Sequence, residues 1–237
     1  IILEVYEVIG RIGNVLPGNR LVFGKPSLIS IVVFYVWLIL GVAVLLRGKR
    51  LRKILLVSGV CIFLLFIKFP DGKLHVTMLD VGQGDCIYLK GPRGTHYLVD
   101  GGSSSIKAVG KFRMESFLKH EGVGVLDYVF LSHGDLDHTN GVQEMIERQV
   151  YGVKIKNLVL PETYQSDEEL LKLARLAMEQ GIKVLCMKQG EALKEGKLTI
   201  TCLQPGKNEK GLESNAASMV LDVSFKDGVT IITGETG

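Results

Sequence analysis

Two histidines and two aspartates lie within six consecutive positions of this chain, at His133, Asp135, Asp137 and His138, directly after the largely apolar segment 125–131. Neutral imidazole and ionised carboxylate are both good ligands for zinc and manganese. Charged groups at this density repel and desolvate one another unless a cation or water compensates them. The pattern therefore predicts a metal-binding loop at the carboxyl end of a strand, where α/β proteins usually hold their chemistry.

The spacing also suggests how two ions would be shared. His133 and Asp135 could serve one ion, and Asp137 and His138 a second, because alternate loop residues can point at neighbouring ions. Two ions about 3.5 to 4 Å apart stabilise the attacking and leaving oxygens of a hydrolysed ester and supply hydroxide at neutral pH. Asp135 and Asp137 are then the candidate catalytic residues. The alternative is a solvated acidic turn that only caps the next helix, although a cap does not need two histidines.

The loop has the form H-x-D-x-D-H. It resembles the H-x-H-x-D-H motif of the metallo-β-lactamase superfamily, with Asp135 in the place of the second histidine. That substitution is associated with one branch, the hydrolase domain of the ComEC competence proteins, which are membrane channels for DNA uptake. The segments 79–85, 98–102 and 131–141 agree with that family in order and separation.

Two segments further along the chain extend the resemblance. The segment 215–218, N-A-A-S, resembles the family's N-x-x-S strand, and the segment 232–235, I-T-G-E, resembles its T-G-D turn, whose aspartate bridges the metals. Glu235 stands in the place of that aspartate. No histidine follows His138, whereas the family has a final H-H-G-S motif after the T-G-D turn. We therefore interpret the sequence as a fragment whose remaining ligands lie beyond Gly237.

The resemblance implies a set of site residues and cofactors. The implied metal ligands are His133, Asp135, Asp137, His138 and Glu235. The residues implied to support those ligands or to bind substrate are Asp80, Gln83, Asp85, Asp100, Asn215 and Ser218. Taken alone, the aspartates at 80 and 100 also fit ordinary strand-end turns, and the residues at 215 and 218 fit routine turn chemistry. The oxygen-rich ligand set makes two Mn²⁺ ions as plausible as two Zn²⁺ ions.

The first part of the chain contains two apolar runs. Residues 27–46 carry no charge and are long enough to cross a hydrocarbon layer of about 30 Å at about 1.5 Å per residue. The run 54–67 is shorter, but Lys68 can snorkel and the bilayer can thin. Five of the seven residues in 47–53 are basic, so the positive-inside rule places this loop in the cytoplasm and the hydrolase domain on the extracytoplasmic side. The sequence thus predicts a multi-pass cell-membrane protein in contact with lipid, although missing upstream helices would be able to dictate another topology.

Charge divides the chain in the same way. Nine basic against two acidic residues give +7 over 1–69, and nineteen against twenty-three give −4 over 70–237. We expect a loop or upstream tail at 1–26, two transmembrane helices at 27–69, and an incomplete hydrolase domain at 70–237. Nucleic-acid affinity comes mainly from phosphate neutralisation by Lys and Arg, so a DNA substrate rests on the resemblance and not on the charge of the hydrolase domain.

Short β runs and helices alternate after residue 70. Strands are predicted over 74–81, 86–90, 95–99, 126–131, 157–160, 182–187, 197–203, 216–225 and 229–233, and helices over 109–120, 139–148 and 167–180. This pattern indicates two packed sheets with helices outside, which the resemblance names the αββα metallo-β-lactamase fold. The scattered spacing of the four cysteines predicts buried thiols and no metal finger.

The leading hypothesis is a two-metal phosphodiesterase or nuclease that acts on DNA, with single strands favoured, outside the membrane during uptake. The resemblance also implies other competence proteins as partners, and nothing in the sequence indicates an oligomeric state. A second hypothesis is a non-catalytic domain that guides DNA, with a degenerate site, because Asp135 and Glu235 replace commoner ligands. A third is hydrolysis of a small ester or lactone, as elsewhere in the superfamily.

Overall fold

The computed structural model describes residues 21–45, 53, 58–63, 69–205, 218–226 and 228–233. From His75 onward the chain forms two β-sheets packed face to face, with helices on the outer side of the first sheet. This arrangement confirms the α/β class and the packed sheets that the sequence predicts.

Within the described residues, the first sheet has six strands and the second has four. The strands of the first sheet are β1 (His75–Met78), β2 (Ile87–Lys90), β3 (His96–Val99), β4 (Val125–Phe130), β5 (Lys154–Pro161) and β6 (Lys183–Met187). Those of the second sheet are β7 (Ala192–Glu195), β8 (Leu198–Gln204), β9 (Val220–Phe225) and β10 (Gly228–Thr233). The helices whose bounds lie within the described residues are α1 (Leu28–Leu45), α2 (Glu115–Glu121), α3 (Leu136–Glu147) and α4 (Glu168–Glu179), with a π-helical turn (Gly110–Met114) before α2 and a 3₁₀ turn (Glu162–Ser166) before α4.

The first sheet runs in the order β1-β2-β3-β4-β5-β6. The strands β3 to β6 are mutually parallel, whereas β1, β2 and β3 are joined as antiparallel neighbours. Val99 at the end of β3 pairs with Phe130 at the end of β4. Because parallel strands end at the same edge of a sheet, the loops that follow β3 and β4 begin side by side.

Successive side chains of a strand point to opposite faces, so the first sheet contributes to two cores. In β3, Leu98 packs in the core shared with the helices, while Tyr97 and Val99 pack in the core between the sheets. The core between the sheets contains no helical residue among those that the structure describes. The described residues therefore form one helical layer and two sheet layers of the expected αββα sandwich.

The helix that follows the histidine–aspartate cluster begins earlier than the sequence predicts. α3 begins at Leu136, whereas the predicted helix begins at residue 139, and Asp135 directly before it has an extended backbone with ψ 144°. Asp137 and His138 therefore lie in the first turn of a helix and not in a loop. The sequence also fails to predict β7, whose four residues carry no apolar alternation.

The two predicted membrane spans are not found here: within the described residues, no helix combines the length and the apolar character needed to cross a bilayer. The predicted basic loop at 47–53 and the second predicted span at 54–67 lie largely outside the described residues.

The cysteines are all free thiols. Cys86 and Cys202 are buried, as the sequence predicts, but Cys61 and Cys186 are exposed. The apolar character of cysteine does not by itself distinguish buried from exposed positions, because single exposed apolar side chains are common on protein surfaces.

Candidate metal site

The cluster predicted from the sequence lies at the carboxyl edge of the first sheet, where the loops that follow β1, β3 and β4 meet. Asp100 directly follows β3, and Ser132 and His133 follow β4. Asp135 precedes α3, whose first turn carries Asp137 and His138. Parallel pairing of β3 with β4 thus brings residues about thirty positions apart into one place.

Close backbone packing fixes the loops against one another. The Asp85 N–H donates to the Asp137 carbonyl at 3.3 Å, and the Gly101 N–H donates to the His138 carbonyl at 2.8 Å. A Cβ atom built on Gly84 or on Gly102 would overlap the Asp137 carbonyl group. Gly84 also has a φ of +149°, a conformation that side chains rarely adopt. Glycine is therefore required at both positions for the loops to approach.

Asp100 is the hydrogen-bonding centre of this site. Its Oδ1 accepts the Ser132 N–H at 2.8 Å, and its Oδ2 accepts the Ser132 hydroxyl at 2.7 Å and His138 Nδ1–H at 3.2 Å. The residue is 4% exposed and has a φ of 54°, in the left-handed region that Asp tolerates better than most residues. A buried carboxylate with three donors is compensated, and it orients the imidazole that it contacts.

Three nearby carboxylates raise the pKa of His138. Burial lowers the pKa of His138, but the hydrogen bond to Asp100 and the charges of Asp100, Asp137 and Asp85 outweigh it, so this pKa lies above its usual value. Asp85 Oδ2 is 3.9 Å from His138 Nδ1. Metal binding requires the neutral imidazole, so a cation would compete with this proton.

His133 presents a nitrogen that the protein leaves without a partner. Its Nδ1 lies 2.8 Å from the Ser132 hydroxyl, whereas its buried Nε2 has no hydrogen-bond partner among the described residues. Asp135 Oδ2 is 3.4 Å from that Nε2 but is not in hydrogen-bonding geometry. The His133 and His138 rings lie with their centroids 4.1 Å apart. The Ser218 hydroxyl is a second buried polar group without a described partner, and its neighbour Met219 donates its N–H to the Ser132 carbonyl at 2.8 Å.

These residues fit a divalent cation by donor type. An unpartnered buried imidazole nitrogen beside a carboxylate is costly in the absence of a cation and is a normal ligand pair in its presence. In the described part of the chain, however, no three His, Cys, Asp or Glu side chains already form a metal-binding group. Glu235, the fifth predicted ligand, lies outside the described residues, as does Asn215.

The remaining predicted residues have different environments. Asp80 is exposed, and its Oδ1 accepts the Gly82 N–H at 3.3 Å, so Asp100 and not Asp80 contacts a site histidine. Gln83 is exposed and is held by its backbone, with its N–H donating to the Ser105 hydroxyl at 2.9 Å. The Asp135 side chain is 47% exposed and faces solvent beside the buried His133.

Sequence reasoning did not assign a role to two residues that shape the site. Ser132 connects Asp100 to His133, and the only signal for it was a hydroxyl directly before the first histidine. Asp167 caps α4 by accepting the Glu169 and Leu170 N–H groups. A Cβ on Gly134 would overlap the Asp167 carboxylate, so this capping residue also packs against the site loop.

A family model matches the part of the chain that contains this site. Residues 79–176 match the model of the Metallo-beta-lactamase superfamily, and this segment contains the three loops and most of α4. A curated relative is ComE operon protein 3 of Bacillus subtilis (strain 168), which is 26% identical over 91% of this chain. The two matches confirm the resemblance to the ComEC family. The chain spans 29% of the length of that relative.

Three solved structures align with part of this chain at TM-scores below 0.5. The metallo-beta-lactamase fold protein YhfI from Bacillus subtilis is 18% identical, with a TM-score of 0.44 over 64% of this chain and 55% of that chain. A Cronobacter sakazakii metallo-beta-lactamase with the HARLDQ motif is 14% identical, with a TM-score of 0.43 over 70% of this chain and 62% of that chain. CmlA, a diiron beta-hydroxylase from Streptomyces venezuelae, is 16% identical, with a TM-score of 0.41 over 67% of this chain and 29% of that chain.

Proposed function

We propose that the domain at 70–237 is a metal-dependent phosphodiesterase that cleaves DNA during its uptake in natural competence. The observation that carries this proposal is His133 Nε2, a buried imidazole nitrogen with no described partner, set beside Asp135 and against His138. A protein interior normally pairs such a nitrogen, and a cation would satisfy it.

The proposed ligands of two divalent ions, Zn²⁺ or Mn²⁺, are His133, Asp135, Asp137, His138 and Glu235. When bound, such ions lower the pKa of water and offset the negative charge that develops at phosphorus. Asp100 holds His138 by a 3.2 Å hydrogen bond and so fixes the direction of that ring. Asp137 would orient the attacking water as well as bind a metal.

The start of α3 favours the binding of an anionic substrate at this site. The first N–H groups of a helix have no partner within the helix, and its dipole favours anions there. Because α3 begins at Leu136 inside the cluster, a phosphate would meet this helix terminus. The buried Ser218 hydroxyl is available as a further donor.

DNA as substrate, competence proteins as partners and a position at the cell membrane are proposed from the relative, ComE operon protein 3. The apolar sequences at 27–46 and 54–67 support membrane attachment, and the basic segment 47–53 supports a hydrolase domain on the extracytoplasmic side. Single-stranded DNA is the proposed form of the substrate.

Cleavage of end-labelled single-stranded DNA by the purified chain with Mn²⁺ or Zn²⁺ tests this function. We expect Asp137→Asn to lose activity by about 100-fold or more, because it removes an oxygen that binds metal and orients water. Glu147→Gln is the matched control, since it makes the same change in the last turn of α3. Full activity in Asp137→Asn would contradict the proposal.

A second candidate is a non-catalytic domain that guides DNA through the channel. It is motivated by Asp135 and Glu235, which stand in the place of commoner metal ligands. Metal analysis of the purified chain separates the two functions. A hydrolase should retain stoichiometric divalent ions and cut DNA, whereas a guide should bind DNA equally well after chelation.

A further inference from the structure

The Ser132 side chain lies between the buried carboxylate of Asp100 and the imidazole of His133. Its Oγ is 2.7 Å from Asp100 Oδ2 and 2.8 Å from His133 Nδ1. Ser132, His133 and Asp100 are all buried, so water does not compete for these bonds. The three groups form a chain of hydrogen bonds whose directions follow from their chemistry.

The direction of each proton is determined in turn. A carboxylate only accepts hydrogen bonds, so the Ser132 hydroxyl must donate its single proton to Asp100. That hydroxyl then has no proton left for His133, so His133 Nδ1 must be the donor in the second bond. A neutral imidazole carries one N–H, which leaves a lone pair on Nε2.

The surroundings of Nε2 agree with this assignment. A proton on this buried nitrogen would have no acceptor in hydrogen-bonding geometry among the described residues, although Asp135 Oδ2 is 3.4 Å away. Leaving such a donor unsatisfied is costly, whereas a lone pair at the same place can bind a cation.

We propose that Ser132 is a positioning residue that relays Asp100 to His133 and holds the His133 imidazole with its proton on Nδ1, so that the lone pair of Nε2 is permanently ready for a divalent ion. Asp100 thereby orients two histidines, His138 directly and His133 through Ser132. This inference deepens the proposed function and rests on it only for the identity of the ligand.

The tautomer is measured without metal and without substrate. Long-range proton–nitrogen NMR correlations of the ¹⁵N-histidine-labelled full chain distinguish the two nitrogens of each ring. The chain has five histidines, and His133→Gln identifies the signal of interest by its loss. We expect the His133 proton on Nδ1 in the metal-free protein. A proton on Nε2 in the unmodified chain would overturn the proposal, whatever any variant does.

Variants of Ser132 then test the relay. Ser132→Ala removes the hydroxyl and should let the Nε2–H form of His133 appear, with divalent-ion affinity lowered about 10- to 100-fold. Ser132→Thr keeps the hydroxyl and should restore both properties. Ser104→Ala is the matched control, because it removes an exposed hydroxyl whose hydrogen bonds, within the described residues, go to the nearby Gln83. An unchanged tautomer or unchanged Zn²⁺ affinity in a folded Ser132→Ala protein would contradict the relay.

The two proposals fail in different ways. If the chain has the Nδ1–H tautomer and binds Zn²⁺ but does not cut DNA, the relay proposal stands and the nuclease proposal is contradicted. If the chain cuts DNA and Ser132→Ala has the same tautomer and Zn²⁺ affinity as the unmodified protein, the nuclease proposal stands and the relay proposal is contradicted.

Discussion

Replacing Asp100 by alanine tests how much of the site depends on one buried carboxylate. Its side chain accepts hydrogen bonds from Ser132 N, Ser132 Oγ and His138 Nδ1. Alanine leaves these three buried donors without an acceptor, and each unsatisfied group costs about 1–3 kcal/mol. Local relaxation and entering water recover part of that sum, so we expect the free energy of unfolding to fall by about 3–5 kcal/mol.

The backbone at Asp100 adds a smaller and separable effect. Its φ of 54° is in the left-handed region, where a residue with a Cβ and no local hydrogen bond costs about 1 kcal/mol. Asp100→Gly removes the same hydrogen bonds but relieves this strain. Asp100→Gly should therefore be about 1 kcal/mol more stable than Asp100→Ala, although glycine normally destabilises a folded chain.

Urea unfolding of the metal-free full chain, followed by circular dichroism, measures both effects. Glu168→Gln, which changes a largely exposed carboxylate at the start of α4, is the control and should stay within about 0.5 kcal/mol of the unmodified protein. An Asp100→Ala protein within that same margin would refute the view that this carboxylate holds the site together. An Asp100→Gly protein less stable than Asp100→Ala would refute the strain argument.

Three further outcomes follow from the structure. Gly102→Ala should lower the free energy of unfolding by about 1–3 kcal/mol in the same urea assay, because its Cβ would overlap the backbone of Asp137, and an unchanged midpoint would contradict the close packing of the loops. Burial lowers the pKa of His96 in spite of the nearby Asp127 charge. The folded protein therefore favours the neutral His96 ring, and this stabilisation is complete above about pH 6.5, the pKa of histidine in the unfolded chain, and is lost as the pH falls below that value. His96→Asn should accordingly make the thermal midpoint fall less steeply between about pH 7.5 and 5.5. Burial raises the pKa of Cys202 to about 11, so iodoacetamide should label the exposed Cys186 quickly and Cys202 only on unfolding; equal rates by mass spectrometry would argue against this environment.

Local pattern predicted most of the secondary structure that follows residue 70. The alternating or apolar runs from residue 74 to 203 correspond to strands, and the helices at 109–120 and 167–180 are present, with the first beginning as a π-helical turn. The start of α3 was placed too late because Asp137 and His138 are not apolar, and periodicity gives no signal for them. β7 was missed because its sequence, Ala-Leu-Lys-Glu, contains no β-branched or aromatic residue and so carries no strand signal.

The sequence indicated which residue types form the candidate site but not the hydrogen bonds that join them. The cluster 133–138 is local in sequence, so spacing alone was enough to propose it as a candidate metal site. The contact of Asp100 with Ser132 joins residues 32 positions apart and exists only because β3 and β4 pair in parallel at Val99 and Phe130. Sequence alone offered both Asp80 and Asp100 as candidates, and the fold shows that Asp80 is exposed whereas Asp100 is buried.

Titration of the metal-free full chain with Zn²⁺ in an isothermal calorimeter tests the central claim most directly. His133→Gln removes the buried nitrogen that has no described partner, whereas the control His75→Gln removes an exposed histidine that bonds to Asp71. We predict that the unmodified chain and His75→Gln bind Zn²⁺ alike and that His133→Gln binds it at least about 10-fold more weakly. Equal Zn²⁺ affinity in all three proteins would contradict the assignment of this cluster as a metal site.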